Sequence, residues 1–239
     1  WPLEVIREER LGLAIARNTG LHHAQGEILV FVDDDITFYE GWVEAWEGAF
    51  ADDALAAAGG PIAPVFPEST PAWYKDGVMA DGGTTTGNYN HGNEVLTYQP
   101  RQGVGHPRGG NMAVRRSLAI SLDGFREELG WGKKRIPGEE TDFFQRLWDT
   151  GVRIQYLPGP KVRHHLDEAR MNIKYLRSWH KGYGRASIMM RPPEGPLQWT
   201  LKCLAQCLNI LYYSIRLVLP GGWRSFRSHR KQGQSMGRL

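Results

Sequence analysis

Short apolar runs and amphipathic stretches alternate along the chain, and their periods predict its elements. Ile28-Leu29-Val30-Phe31-Val32 is unbroken, mostly β-branched or aromatic, and reads as a strand buried on both faces. Before it, residues 12–24 form a helix, with Leu13, Ala16, Gly20 and Ala24 on one side and Gly26 as its stop. After it, residues 37–50 place Tyr39, Trp42, Val43, Trp46 and Phe50 at helical spacing. Thr37 and Glu40 have the spacing of a capping box at the start of that helix. Further strands are expected at residues 3–6, 55–58 and 112–114, and at the alternating Val152, Ile154 and Tyr156. Helical patterns cover residues 117–122, 139–149 and 168–190. Strands interleaved with helices make this an α/β chain.

Two segments break the pattern. Residues 64–110 are rich in Pro, Gly, Asn and Thr, and a loop of that length is usually functional or disordered. Trp73, Tyr74, Tyr89 and Tyr98 within it argue against plain disorder. Such rings either stack on a sugar or pin the loop to the core, and the sequence does not choose. Beyond the Pro-rich linker at 192–196, Leu197, Leu201, Leu204, Leu208, Leu211, Ile215 and Val218 step by alternating fours and threes. That is one long amphipathic helix.

Size and composition allow one large domain or one domain plus an appendage: 239 residues, 41% of them hydrophobic and 23% charged. The net charge of +3 hides an asymmetry. From Gly195 onward the chain has Lys and Arg but no Asp or Glu, which suggests an anionic partner such as a membrane surface or polyphosphate, the anionic membrane surface being the partner expected. A helix carrying cations and amides is expected to lie in the membrane interface more readily than to span it; a dock on the protein's own core or on a second subunit is the competing reading. These basic residues sit on an apolar helix and tail rather than in a reading motif, so nucleic acid is a poor fit. Cys203 and Cys207, four apart on a helix, suit a reducing compartment. No signal peptide is evident, and the expected place is the cytoplasmic face of a membrane. The expected divisions are 1–166, a helical extension at 167–191, and a basic amphipathic segment at 192–239.

The chemistry gathers in a few places. Asp33, Asp34 and Asp35 follow the apolar strand, at the strand edge where open α/β sheets bind ligands. Adjacent carboxylates repel, and a divalent cation is the simplest neutraliser, held by Asp33 and Asp35 on one side of an extended segment. The plainer reading, a helix cap, is already met by Thr37. Glu139, Glu140 and Asp142 crowd a helix start, where the helix dipole favours acids and a general base can also stand. His164 and His165 follow a strand, and a neutral imidazole would complete a site for Mg²⁺ or, better, Mn²⁺. Arg17 and Asn18 offer a cation and an amide to a phosphate or a base edge.

In combination these pieces are recognisable. Gly12-Leu13-Ala14-Ile15-Ala16-Arg17-Asn18-Thr19-Gly20, Ala24-Gln25-Gly26-Glu27 and Val32-Asp33-Asp34-Asp35 resemble the family 2 glycosyltransferases of the GT-A fold. Arg108-Gly109-Gly110-Asn111-Met112-Ala113-Val114-Arg115, the lead-in from Asp123 to Gly130, Gly138-Glu139-Glu140-Thr141-Asp142-Phe143 and Val162-Arg163-His164-His165 follow in that family's order. The resemblance covers about residues 10–190. It implies a Rossmann-like mixed sheet flanked by helices, lacking its first βαβ part, with C-terminal amphipathic helices added. It implies an inverting transferase that moves a sugar from a nucleotide-diphosphate donor to a hydroxyl of a saccharide or lipid-linked acceptor. Asp33, Asp35 and His164 would hold Mn²⁺ or Mg²⁺. Arg17, Asn18, Asp33 and Asp34 would meet the nucleotide-sugar. Gly110, Asn111 and Trp131 would line the acceptor side. Glu140, with Glu139 as the second candidate, would be the base. Glu140 stands where the family more often has Asp. Lacking the family's first strands, the chain is expected to be inactive by itself. Other readings stay open: a metal-dependent hydrolase using the same carboxylates, or a non-catalytic sugar- or membrane-binding remnant.

Overall fold

The computed structural model of the chain describes residues 3–80, 87–99, 105–132, 135–218, 234–236 and 238. Part of the Gly/Thr run near 82–86 and the basic residues between 219 and 233 lie outside them. The described elements run α1 (Leu13–His23), β1 (Ile28–Val32), β2 (Ile36–Phe38), α2 (Trp42–Phe50), β3 (Leu55–Gly59), β4 (Ile62–Val65), α3 (Ala72–Ala80), β5 (Leu96–Thr97), β6 (Asn111–Arg115), α4 (Arg116–Ser121), α5 (Glu139–Asp149), β7 (Arg153–Tyr156), β8 (Val162–His165), α6 (Ile173–Met190) and α7 (Pro196–Val218).

The larger sheet has the order β1-β6-β3-β7-β5. It is mixed: β6 runs antiparallel to both β1 and β3, whereas β3 and β7 are parallel. Its two faces separate by the two-residue period of a strand. On β6, Met112 and Val114 join the core that holds Ala14 and Leu21 of α1 and Phe143, Phe144 and Leu147 of α5. Ala113, between them, joins the core made with Trp46 and Phe50 of α2. The sheet is therefore covered on both sides, as the resemblance implied. A second sheet has the order β2-β8-β4.

The chain divides into two compact units. The first comprises residues 1–63, 89–133 and 139–163; the second comprises 64–88, 134–138 and 164–239. In the second, Tyr74, Leu166, Met171 and Leu176 share a small core with Phe66 and Trp73 packed against it.

Several expectations give way. Residues 3–6 form no strand, and Leu3 and Val5 lie open to solvent. β1 ends the sheet order: Leu29 and Phe31 meet one core and Ile28 and Val30 the other, so both faces are packed, but only Leu29 is fully buried. The helix expected from residue 37 begins at Trp42, capped by the left-handed backbone of Gly41. Thr37 belongs to β2, so no capping box forms; β-branched Ile36 and Thr37 suit the pleat of a strand. The helix expected at 168–190 splits into a 3-10 turn at Glu168–Arg170 and α6, because Asn172 accepts a hydrogen bond from the Tyr175 amide and caps a new start. In the long loop, Tyr74, Tyr89 and Tyr98 each sit in a core cluster, so these rings pin the segment down rather than offer a sugar platform.

Candidate active site

The acidic turn follows β1 directly. Asp34 and Asp35 sit in the turn between β1 and β2, not in an extended segment. No helix starts there, so the acids cap nothing. Asp34 is exposed; Asp33 and Asp35 are half-buried. The β1/β6 register pairs Val32 with Asn111, which sets Gly110 beside Asp33. A methyl group at Gly110 would come within 3.2 Å of Asp33 Oδ2, so the glycine keeps clear the space in front of that oxygen.

Arg17, on α1, is the hub. Its side chain is 7% exposed, and Nη1 donates to Glu139 Oε1 at 2.6 Å while Nη2 lies 3.5 Å from Asp33 Oδ1. One guanidinium thus joins the turn after β1 to the first residue of α5. Burial opposes its charge, but the carboxylates of Glu139, Glu140 and Asp33 outweigh burial and hold its pKa above the ordinary value. The Glu139 carboxyl is also buried. Burial first, and then the neighbouring Glu140, push its pKa up to about 7, against the pull of Arg17. Glu140 is half-buried, so of the two it is the acid a substrate can reach. Asp142 is tied to Arg146 at 2.7 Å and Arg126 at 3.3 Å and is structural.

Two residues expected at the ligand are used by the fold instead. Asn18 Nδ2 donates to the Phe125 carbonyl, and Asn18 Oδ1 accepts from the Phe125 amide, each at 2.8 Å. Its amide is a clamp on the loop before α5. Asn111 is wholly buried. Its Nδ2 donates to the carbonyls of Pro160 at 2.6 Å and Pro61 at 3.3 Å, and its Oδ1 accepts from Trp42 Nε1 at 3.1 Å. Both amide protons are consumed, which leaves no donor for an acceptor sugar. Trp131 is half-buried, and its carbonyl accepts from the Leu13 amide at 2.9 Å, tying residues 130–132 to the start of α1. Gly130 makes this possible: its φ is +96°, and a methyl there would meet the Ala14 amide nitrogen at 3.0 Å.

The sequence reading missed a cluster beside the candidate base. His106 is buried, and its Nδ1 lies 2.8 Å from the Pro107 carbonyl, so that nitrogen carries the proton. Its Nε2 then accepts from Thr141 Oγ1 at 2.9 Å. Burial, then the charge of Arg108, push the imidazole pKa down to about 3, so His106 stays neutral. A lone His in a loop carries no periodicity, and only its contact with the residue after Glu140 marks it.

His164 falls in the second unit, where its ring is buried on β8 close to Gly87. Among the described residues, no three His, Cys, Asp or Glu side chains form a cluster suited to an ion. What the acidic turn offers is a hard, all-oxygen pair with open space at Asp33 Oδ2. That suits Mg²⁺ or Mn²⁺ of the kind held by one or two carboxylates and completed by substrate phosphates.

A mixed sheet with this acidic turn and acid-led helix is the GT-A glycosyltransferase fold. Glycosyl transferase family 2 matches residues 1–122, just over half of the chain, and the chain belongs to that family. The chain is similar to the glucosyl-dolichyl phosphate glucuronosyltransferase of Haloferax volcanii, 25% identical over 78% of this chain and 59% of that protein. It is also similar to the succinoglycan biosynthesis protein ExoM of Rhizobium meliloti, 28% identical over 79% of this chain and 57% of ExoM. The chain thus spans less than two thirds of the length of these curated relatives. Among solved structures, the mannosyltransferase PcManGT from Pyrobaculum calidifontis, in complex with GDP-Man and Mn²⁺, aligns with a TM-score of 0.54 at 15% identity over 95% of this chain and 65% of that one. GalNAc-T7, crystallised with UDP, GalNAc and Mn²⁺, aligns with a TM-score of 0.51 at 15% identity over 94% of this chain and 42% of that one. At such identity the structural likeness shows the fold.

Proposed function

We propose that this chain is the core of a metal-dependent, inverting glycosyltransferase that uses a nucleotide-diphosphate sugar and a saccharide or lipid-linked acceptor. The observation that carries the reading is the bridge of Arg17, which ties Asp33 of the acidic turn to Glu139 at the head of α5. It sets a donor-side carboxylate and the residue next to the candidate base Glu140 within the reach of one side chain. The reading uses residues of the first unit alone. Two solved structures of this fold were obtained in complex with Mn²⁺ and a nucleotide or nucleotide-sugar, which supports the same combination here.

Glu140 takes the proton of the acceptor hydroxyl. The freed oxygen attacks the anomeric carbon from the face opposite the diphosphate. The carbon–oxygen bond to the diphosphate breaks as the new bond forms, so configuration inverts. Asp33 and Asp35 would hold the cation, whose chemistry is to screen the charge that develops on the leaving diphosphate. Glu139 stays at Arg17 and keeps the head of α5 in register with the acidic turn.

The test is product analysis on the complete gene product carrying these residues, with a panel of nucleotide-sugars and Mn²⁺. Release of nucleotide diphosphate that depends on added acceptor, and that Asp35→Asn removes, supports transfer. Equal release without acceptor favours the hydrolase reading. Donor consumption untouched by Asp35→Asn favours a non-catalytic remnant.

A further inference from the structure

Helix α7 is turned the opposite way from a helix of a water-soluble surface. At 100° per residue, Leu197, Leu201, Leu204, Leu208 and Leu211 share one stripe only about 80° wide. All five are exposed, from 57% to 72%. The opposite side carries Lys202, Cys203, Gln206 and Ile210, and these are the positions that are buried or half-buried. Gln206 is 7% exposed, and its Oε1 is buried without a hydrogen-bond partner. The protein thus buries an amide at a cost and leaves five leucines outside. In water that arrangement loses on both counts. It is favourable where the outer medium is apolar.

Charge says which apolar medium. From Gly195 to the C-terminus the sequence contains seven Lys or Arg residues and no Asp or Glu. A second copy of α7 would bring like charges together and offer no acid to meet them. The residues beside the leucine stripe, Gln198, Thr200, Ala205 and Cys207, supply none of the paired charges that join helices in water. An anionic lipid surface answers both features at once. Among the described residues no helix is long and apolar enough to cross a membrane.

We propose that the outward leucine stripe of α7 beds into the interface of an anionic lipid bilayer, to which the one-signed charge of the sequence from Gly195 onward attracts it. The helix lies in the plane of the membrane, leucines down, and brings the transferase unit to lipid-borne substrates.

Cosedimentation of the full chain with vesicles tests this without any sugar donor, so its outcome is independent of the proposed activity. Phosphatidylcholine vesicles with about 30% phosphatidylglycerol should carry the protein down, pure phosphatidylcholine far less, and added salt should weaken the binding. Leu204→Glu with Leu208→Glu alters only exposed positions; it should weaken vesicle binding at least about tenfold and leave the circular dichroism unchanged. Binding that survives this double substitution, or absence of binding to the anionic vesicles, overturns the proposal. So does a sedimentation-equilibrium dimer that the same substitution dissolves while vesicles fail to bind, because a second copy then covers the stripe.

Discussion

Glu139 and Glu140 are neighbours in sequence with opposite environments, and substitution should separate them. Glu140→Gln should cut transfer roughly 10²–10⁴-fold with the fold intact, since it removes only the proton acceptor; steady-state kinetics beside a melting curve checks this. Glu139→Gln keeps an oxygen to accept from Arg17 and removes a carboxyl whose charged form burial disfavours, so urea unfolding near pH 7 should show little loss of stability. The pH dependence has two limbs of opposite sign. The Glu139 pKa rises from 4.5 to about 7 on folding, so the stability this contributes is complete below pH 4.5 and drains as pH climbs through 7. The His106 pKa falls from 6.5 to about 3, so its contribution is complete above pH 6.5 and drains as pH drops toward 3. His106→Asn should flatten the acid limb and Glu139→Gln the other, as read from unfolding midpoints across pH.

Elements meet at this site through backbone clamps, which give a second kind of prediction. Asn18 joins α1 to the loop at Phe125 by two reciprocal bonds, and Asn18→Ala should cost about 1–3 kcal/mol for the buried groups it strands. The donor KM of the folded fraction should stay unchanged; a large rise in KM would return Asn18 to the nucleotide. Gly60 shows the same principle between β3 and β4. A methyl there would stand about 2.5 Å from Asn111 Nδ2 and collide with the Pro160 carbonyl, both fixed by the fold. Gly60→Ala should therefore lower the melting temperature markedly, at a cost of about 1–3 kcal/mol, since backbone must move to admit it. α2 and β2 carry the same lesson about local signals. Thr37 and Glu40 have the spacing of a cap, yet the segment up to Phe38 pairs in a sheet and the helix waits for Gly41. Sheet hydrogen bonds outweighed a cap that is worth about 1 kcal/mol.

For the molecule as a whole, the acidic turn predicts a linked requirement for metal and diphosphate. Two carboxylates on one turn are too few to hold Mg²⁺ or Mn²⁺ tightly without phosphate oxygens. Mn²⁺ alone should barely move the melting temperature, whereas Mn²⁺ with a nucleoside diphosphate should raise it, by mass action on the folded state. Thermal scans with each component alone and together check this, and Asp35→Asn should abolish the joint effect. The charge of the chain is partitioned as its fold is. Acids occur along the sequence as far as Glu194, and the one-signed basic run begins with α7.

The order of motifs along the sequence was enough to determine the family, the α/β class and the places of β1, α1 and α5, because each rests on local periodicity and on residues close together in the chain. The same local information named the acidic turn and the Glu pair. Which polar groups remain for chemistry was decided only in three dimensions. Asn18, Asn111 and Asp142 are engaged by partners 107, about 50 and 16 residues away. Arg17 meets Glu139 across 122 residues, and His106 meets Thr141 across 35. A buried hydrogen bond depends on distance in space, and sequence separation carries no trace of it. The outward set of the leucines on α7 has the same origin: the heptad marks a stripe, but packing alone decides which way it faces.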